Sequence, residues 1–249
     1  MSLTLCHDCV MLAKSSSAYR TGYACGDFAR MPCPVKDLGH FPRNLLQNPG
    51  LMNAVILAGG NSSRMGFDKT FIKVGGLTLI ERQIKLLYSL FEKIIVVTNN
   101  QRKSRSLYEI ADKNRLKNVE IIQDIILGQG PLGGIYSGLK ASNSIYNFVV
   151  ACDMPFINER LVKYMIKNVK NSDVFIPRID NKLHPLCGVY SKNCVSVIGR
   201  LLLQDRLKVS DMFSKLNAKF ISKKKLQSFD KDLLCLENIN TPEDIKKYK

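Results

Sequence analysis

The stretch VILAGGNSSRMGFDK, residues 55–69, sets an apolar strand, a paired glycine, a polar run and two cations in one unbroken order. A phosphate site needs that order. Residues 54–57 are apolar throughout, as in a central parallel strand buried on both faces. Gly59 and Gly60 lack the Cβ atoms that would hold a polyanion away from the backbone, so successive N–H groups can face phosphate oxygens. Arg64 and Lys69 add positive charge beside the same loop. The bland alternative is a glycine turn with two solvated cations.

The spacing excludes the two commonest nucleotide loops. Thr70 follows Lys69, but the distance from Gly60 or Gly66 to the lysine does not fit G-x-x-x-x-G-K-[ST], and G-x-G-x-x-G is absent. The form LAGGxSxRMGxDK resembles the signature loop of nucleotidyltransferases built on a mononucleotide-binding sheet, and in particular that of the molybdenum cofactor guanylyltransferases. Sugar-nucleotide pyrophosphorylases and related cytidylyltransferases usually show alanine where Gly59 stands, so the double glycine favours the guanylyl branch. The resemblance implies nucleotide contacts from Leu57, Ala58, Gly59, Gly60 and Lys69, and catalytic roles for Arg64 and Lys69.

The 249 residues suffice for one sizeable α/β domain with a short extra segment. The formal charge of +16 suits a polyanionic small substrate, nucleic acid or an anionic surface. The lysines are scattered and residues 223–225 form the one block, so a dedicated nucleic-acid function is not expected. No apolar run approaches the roughly 18 residues of a membrane span. The first residues lack a basic start, and Cys6, His7, Asp8 and Cys9 interrupt the apolar stretch, so no secretory signal is read and a cytoplasmic location is expected.

Residues 1–51 differ from the rest. They carry Pro32, Pro34, Pro42 and Pro49 and show neither helical nor strand periodicity, which predicts an irregular extension ahead of a nucleotidyltransferase domain at 52–249. Met52 opens MNAVILAGG and is itself a plausible start. Cys6 and Cys9 match half a zinc knuckle, but Cys25 and Cys33 are too far apart for the second pair; with His7 and His40 as substitutes, zinc is still not expected. Cys152, Cys187, Cys194 and Cys235 sit in or near apolar segments, as reduced thiols behaving as small hydrophobes.

From residue 53 strands and helices alternate. Strands are predicted at 71–74, 94–98, 119–123 and 148–151. Helices are predicted at 78–90, with Leu79, Ile80, Ile84, Leu87 and Leu90 on one stripe, and at 104–113, 133–141 and 159–169, the last capped by Asn158. This pattern predicts a three-layer α/β fold: a mainly parallel, Rossmann-like sheet of nucleotidyltransferase type with helices on both faces. Ligands of such sheets bind at the C-terminal strand ends.

Asp153 follows an apolar strand and precedes Met154-Pro155, a position where an unpaired carboxylate is costly to bury. Beside a triphosphate, magnesium is its natural partner, and CDMPF resembles the family's metal-binding segment. Asp153 is therefore the expected metal ligand and a catalytic and nucleotide-binding candidate; a turn aspartate is the alternative. Asp124 ends another strand before GQGPLGG, similar to the family's GPLGG segment. The resemblance puts Asp124, with Gly130 and Asn99, in nucleotide contact, leaving base, ribose and metal shell open for Asp124, with a local turn as the alternative. LHPL and ENINTPED also resemble family segments. They make His184, Asn238 and Asn240 weaker candidates for substrate or metal-shell contact, with Thr241 and Pro242 starting a helix. No G-x-S-x-G elbow accompanies Ser62 or Ser63, which disfavours a serine hydrolase.

The resemblance implies transfer of GMP from GTP to molybdopterin with release of pyrophosphate, and GTP, molybdenum cofactor, target molybdoenzymes or other cofactor-biosynthesis proteins as partners. The rivals are a cytidylyltransferase or sugar-phosphate nucleotidyltransferase on the same fold, and a non-catalytic cofactor carrier.

Overall fold

The computed structural model describes residues 52–60, 68–240 and 244. The extension at 1–51 with its zinc candidates Cys6, Cys9, Cys25 and Cys33, the loop cation Arg64, and the helix start at Thr241 and Pro242 lie outside the described residues.

Among the described residues, strands β1 (Asn53–Leu57), β4 (Lys93–Thr98), β5 (Val119–Gln123), β6 (Tyr146–Ala151), β7 (Val174–Ile179), β9 (Cys187–Ser191) and β10 (Ala218–Ser222) form one sheet in the order β10-β7-β9-β6-β1-β4-β5, with β8 (Lys182–Leu183) on β7. A separate hairpin pairs β2 (Lys73–Val74) with β3 (Leu77–Thr78). β1 lies between β4 and β6 and runs parallel to both. The chain passes outward from β1 through β4 to β5 and returns to the other side of β1 as β6. A crevice therefore opens at the carboxyl ends where the winding reverses.

Alternation along β1 explains the layers. Ala54 and Ile56 face one apolar cluster with Ile80, Ile84 and Leu87 of α1 (Leu79–Tyr88), Leu107 of α2 (Gln101–Lys113), and Leu161, Val162 and Met165 of α4 (Glu159–Asn168). Val55 faces the other cluster with Leu132, Ile135 and Leu139 of α3 (Gly130–Ala141) and Ile198 and Leu201 of α5 (Cys194–Leu203). Burial on both faces is why β1 reads as a continuous apolar run. α3 packs so closely that a Cβ at Gly138 would overlap the Val55 side chain, which only glycine avoids.

Several boundaries depart from expectation. The strand expected at 71–74 is cut to Lys73–Val74, because Asp68 Oδ1 accepts a hydrogen bond from Thr70 N (3.0 Å) and winds Lys69–Phe71 into a 3-10 turn. α2 starts three residues early because Asn100 Oδ1 caps Lys103 N at 2.8 Å. α3 begins at Gly130, with Pro131 in its first turn, where a missing N–H costs nothing. α1 carries a complete capping box between Thr78 and Glu81. β9 runs antiparallel to β6 and β7. Its short link from β7 through β8 leaves no room for the crossover helix that a parallel return requires.

Cys152, Cys187, Cys194 and Cys235 are free and buried. Burial pushes the thiols of Cys152, Cys194 and Cys235 up to about 12, so they pack as small apolar groups. No described helix is long and apolar enough to cross a membrane.

Candidate active site

The ladder of the sheet aligns four strand ends. Leu57 is in register with Val97 and Ala151, and Thr98 with Gln123. Backbone bonds carry that alignment one residue further: Ala58 N donates to Val97 O (2.8 Å), Asp124 N to Thr98 O (2.8 Å) and Cys152 N to Leu57 O (3.1 Å). The candidates Leu57, Ala58, Gly59, Gly60, Asn99, Asp124 and Asp153 thus share one rim, although the sequence spreads them over almost a hundred residues. Gly59 lies against Asn99, where an added Cβ would stand 3.7 Å from Asn99 Cβ; at Gly60 a Cβ would meet nothing within 4 Å among the described residues.

Lys69 sits in the 3-10 turn that ends the glycine loop, with Nζ donating to Asn240 Oδ1 at 2.9 Å. Asn240 N in turn donates to Asp244 Oδ2 at 2.9 Å. The terminal segment is fastened to the β6 loop as well, through Ile239 N on Asp153 O (2.8 Å). Asn238 and Asn240 thus meet Asp153 and Lys69 across more than 80 residues of sequence.

Burial pushes the Asp153 carboxyl above its ordinary value, while the positive charge of Lys69 and a hydrogen bond from the Asn238 side chain pull it back. Asp153 Oδ1 is buried without a hydrogen-bond partner among the described residues. An orphaned carboxylate oxygen of this kind suits a hard divalent cation, whose bond would replace the missing donor. No group of three His, Cys, Asp or Glu side chains gathers among the described residues. An ion here would rest on one carboxylate, a neighbouring amide, and phosphate and water oxygens, which is how magnesium is commonly held. Gln83, itself buried, donates from Nε2 to Met154 O and so braces the loop that carries Asp153.

Asp124 is partly committed to its own loop. Its Oδ1 accepts from Ser137 Oγ (2.6 Å) and Ile126 N (3.3 Å), which fixes the turn between β5 and α3. The local turn therefore occupies Oδ1, and Oδ2 is the oxygen that a ligand reading would use. Burial raises the Asp124 carboxyl, and the Ser137 bond opposes that rise. Gly130 opens α3, whose first N–H groups lack side-chain caps and add positive potential.

His184 follows β8, and its segment joins the same rim because Leu186 O accepts from Ala151 N at 3.0 Å. Its Nε2 is buried and unpartnered among the described residues, and burial, followed by the charge of Lys182, lowers its pKa. A neutral imidazole results at pH 7. The sequence reading missed Lys103, a lysine only 4% exposed whose Nζ reaches both Ala58 O (2.5 Å) and Asp68 Oδ2 (2.8 Å). Its signal was a cation in the first turn of a helix, where the macrodipole disfavours one.

A glycine loop after the first strand, a lysine at the loop's end and a carboxylate at the end of a neighbouring parallel strand define a nucleotidyltransferase. The model of the MobA-like NTP transferase domain matches residues 54–219. The chain belongs to that family. It is 36% identical over 203 residues to a probable molybdenum cofactor guanylyltransferase of Peptoclostridium acidaminophilum, covering 79% of this chain and 87% of the relative. It is 33% identical over 198 residues to a molybdenum cofactor guanylyltransferase of Desulfosudis oleivorans, covering 79% and 93%. Among solved structures it resembles molybdopterin-guanine dinucleotide biosynthesis protein A from Archaeoglobus fulgidus, with a TM-score of 0.66, 28% identity, and coverage of 79% and 96%.

Proposed function

We propose that this enzyme transfers GMP from GTP to the terminal phosphate of molybdopterin, releasing pyrophosphate and forming the guanine dinucleotide cofactor. The observation that carries the proposal is that Gly59, Gly60 and Asp153 share one rim with the charge of Lys69 acting on Asp153, in a chain 33–36% identical to guanylyltransferases. An acceptor phosphate oxygen forms the new bond to the α-phosphorus as the bond from that phosphorus to the bridging oxygen breaks, and pyrophosphate leaves with the electron pair. The attacking group is already ionised, so no strong base is required. The barrier lies in bringing two anions together and stabilising charge at phosphorus.

Lys69, held by Asn240, sets a fixed positive charge at the loop's end, and the loop amides and the start of α3 add further potential. NTP transferases generally use magnesium; Asp153, with Asn238 beside it, would hold the ion, which supplies charge neutralisation at phosphate oxygens. Arg64 is the second candidate cation. The reaction uses soluble substrates, consistent with work in the cytoplasm. Pyrophosphate release should require GTP, magnesium and molybdopterin together. Release with CTP in preference to GTP would move the assignment to the cytidylyl branch.

Asp124→Asn is the specificity variant. Asparagine keeps an oxygen for Ser137 and Ile126 but puts an amide donor where Oδ2 stands. If Oδ2 accepts from the guanine N1–H and 2-amino groups, GTP should weaken by roughly 1–3 kcal/mol relative to CTP. Competition binding with the two nucleotides reads this directly. An equal loss for both would assign the carboxylate to ribose or metal.

A further inference from the structure

Lys103 is placed against its own helix. It occupies the first turn of α2, where the N-terminal dipole repels a cation, and it is 4% exposed. Burying an ammonium is costly unless its donors are paired. Here Nζ donates to Ala58 O at 2.5 Å and to Asp68 Oδ2 at 2.8 Å. Those two residues flank the glycine loop: Ala58 precedes Gly59, and Asp68 precedes Lys69.

We propose that Lys103 is a positioning residue that clamps both ends of the phosphate loop and thereby sets nucleotide affinity through the triphosphate. The inference rests on the nucleotidyltransferase reading above. Two effects follow from the geometry. A trans peptide directs its C=O and the next N–H to opposite sides, so holding Ala58 C=O on Lys103 fixes the Gly59 N–H on the side away from α2. The same ammonium cancels the Asp68 carboxylate, which would otherwise stand next to Lys69 and repel a polyphosphate. Neither effect concerns the base.

Lys103→Met keeps length and burial but removes the charge. It should weaken GTP by on the order of tenfold or more while changing guanosine, which has no phosphates, by less than about twofold. Asp68→Asn/Lys103→Met removes the carboxylate left unpaired in the single variant and restores folding should that variant be unstable. It should still bind GTP several-fold more weakly than the parent, because Ala58 C=O remains unheld. Calorimetric titration of parent and both variants with GTP and with guanosine tests this. Parental GTP affinity in the double variant, or an equal loss for guanosine, would overturn the positioning role. A parent that binds no nucleoside triphosphate would instead overturn the functional reading on which it rests.

Discussion

Asp153→Asn is expected to abolish magnesium-dependent turnover, by on the order of a thousandfold, while raising the thermal midpoint of the nucleotide-free protein at neutral pH by about a few degrees. The two effects share one cause. Oδ1 is buried without a partner among the described residues, so the ionised carboxylate suits a cation and is costly to hold without one. Burial holds the folded carboxyl above its ordinary value of 3.8. Between that value and the raised one the folded state binds more protons than the unfolded state, so stability falls as pH rises through the window and stays lower above it. The stabilising effect of asparagine should therefore be present at neutral pH and fade as pH drops through the window. Thermal melts across pH, set beside magnesium titrations of turnover, test both halves. A variant that titrates with magnesium as the parent does would remove Asp153 from the metal site.

Lys69→Ala is expected to cut turnover by on the order of a hundredfold or more, since it removes a charge-assisted contact that strengthens as charge develops on the phosphates. It should also move the pH dependence. The charge of Lys69 holds the Asp153 carboxyl down against burial. Without it the Asp153 value rises further, and protons compete with magnesium to a higher pH. The acid limb of the pH–rate profile should therefore shift upward in the variant. Near-normal turnover with an unmoved acid limb would contradict the role assigned to Lys69.

The sequence made the first half of the fold legible and the second half largely not. β1, β4 and β6 are buried on both faces and announce themselves as apolar runs. β7 carries Pro177, which argues against a strand, and it is tolerated because the β9 pairing stops at Phe175 and β8 joins only at Arg178. β9 carries Gly188, where a Cβ would press on Phe175 O and Ile176. β8 is two residues long. None of the three gives a periodic signal.

The site shows the same division. Gly59, Asp124 and Asp153 were legible as candidates because each follows a strand in a chemically distinctive run, and Lys69 because it ends the glycine-loop run. The commitment of Asp124 Oδ1 to Ser137 was not, since that bond depends on how α3 folds back over the β5 end. Lys103 escaped notice because its partners lie 35 and 45 residues away, and only the sheet brings them together.

The most direct test of the central claim follows the two ends of GTP separately. With magnesium and molybdopterin, phosphorus-32 at the α-position should enter a pterin-containing product, while label at the γ-position should appear entirely as pyrophosphate. Label that reaches no acceptor, or α-label taken up from CTP in preference to GTP, would contradict guanylyl transfer by this chain.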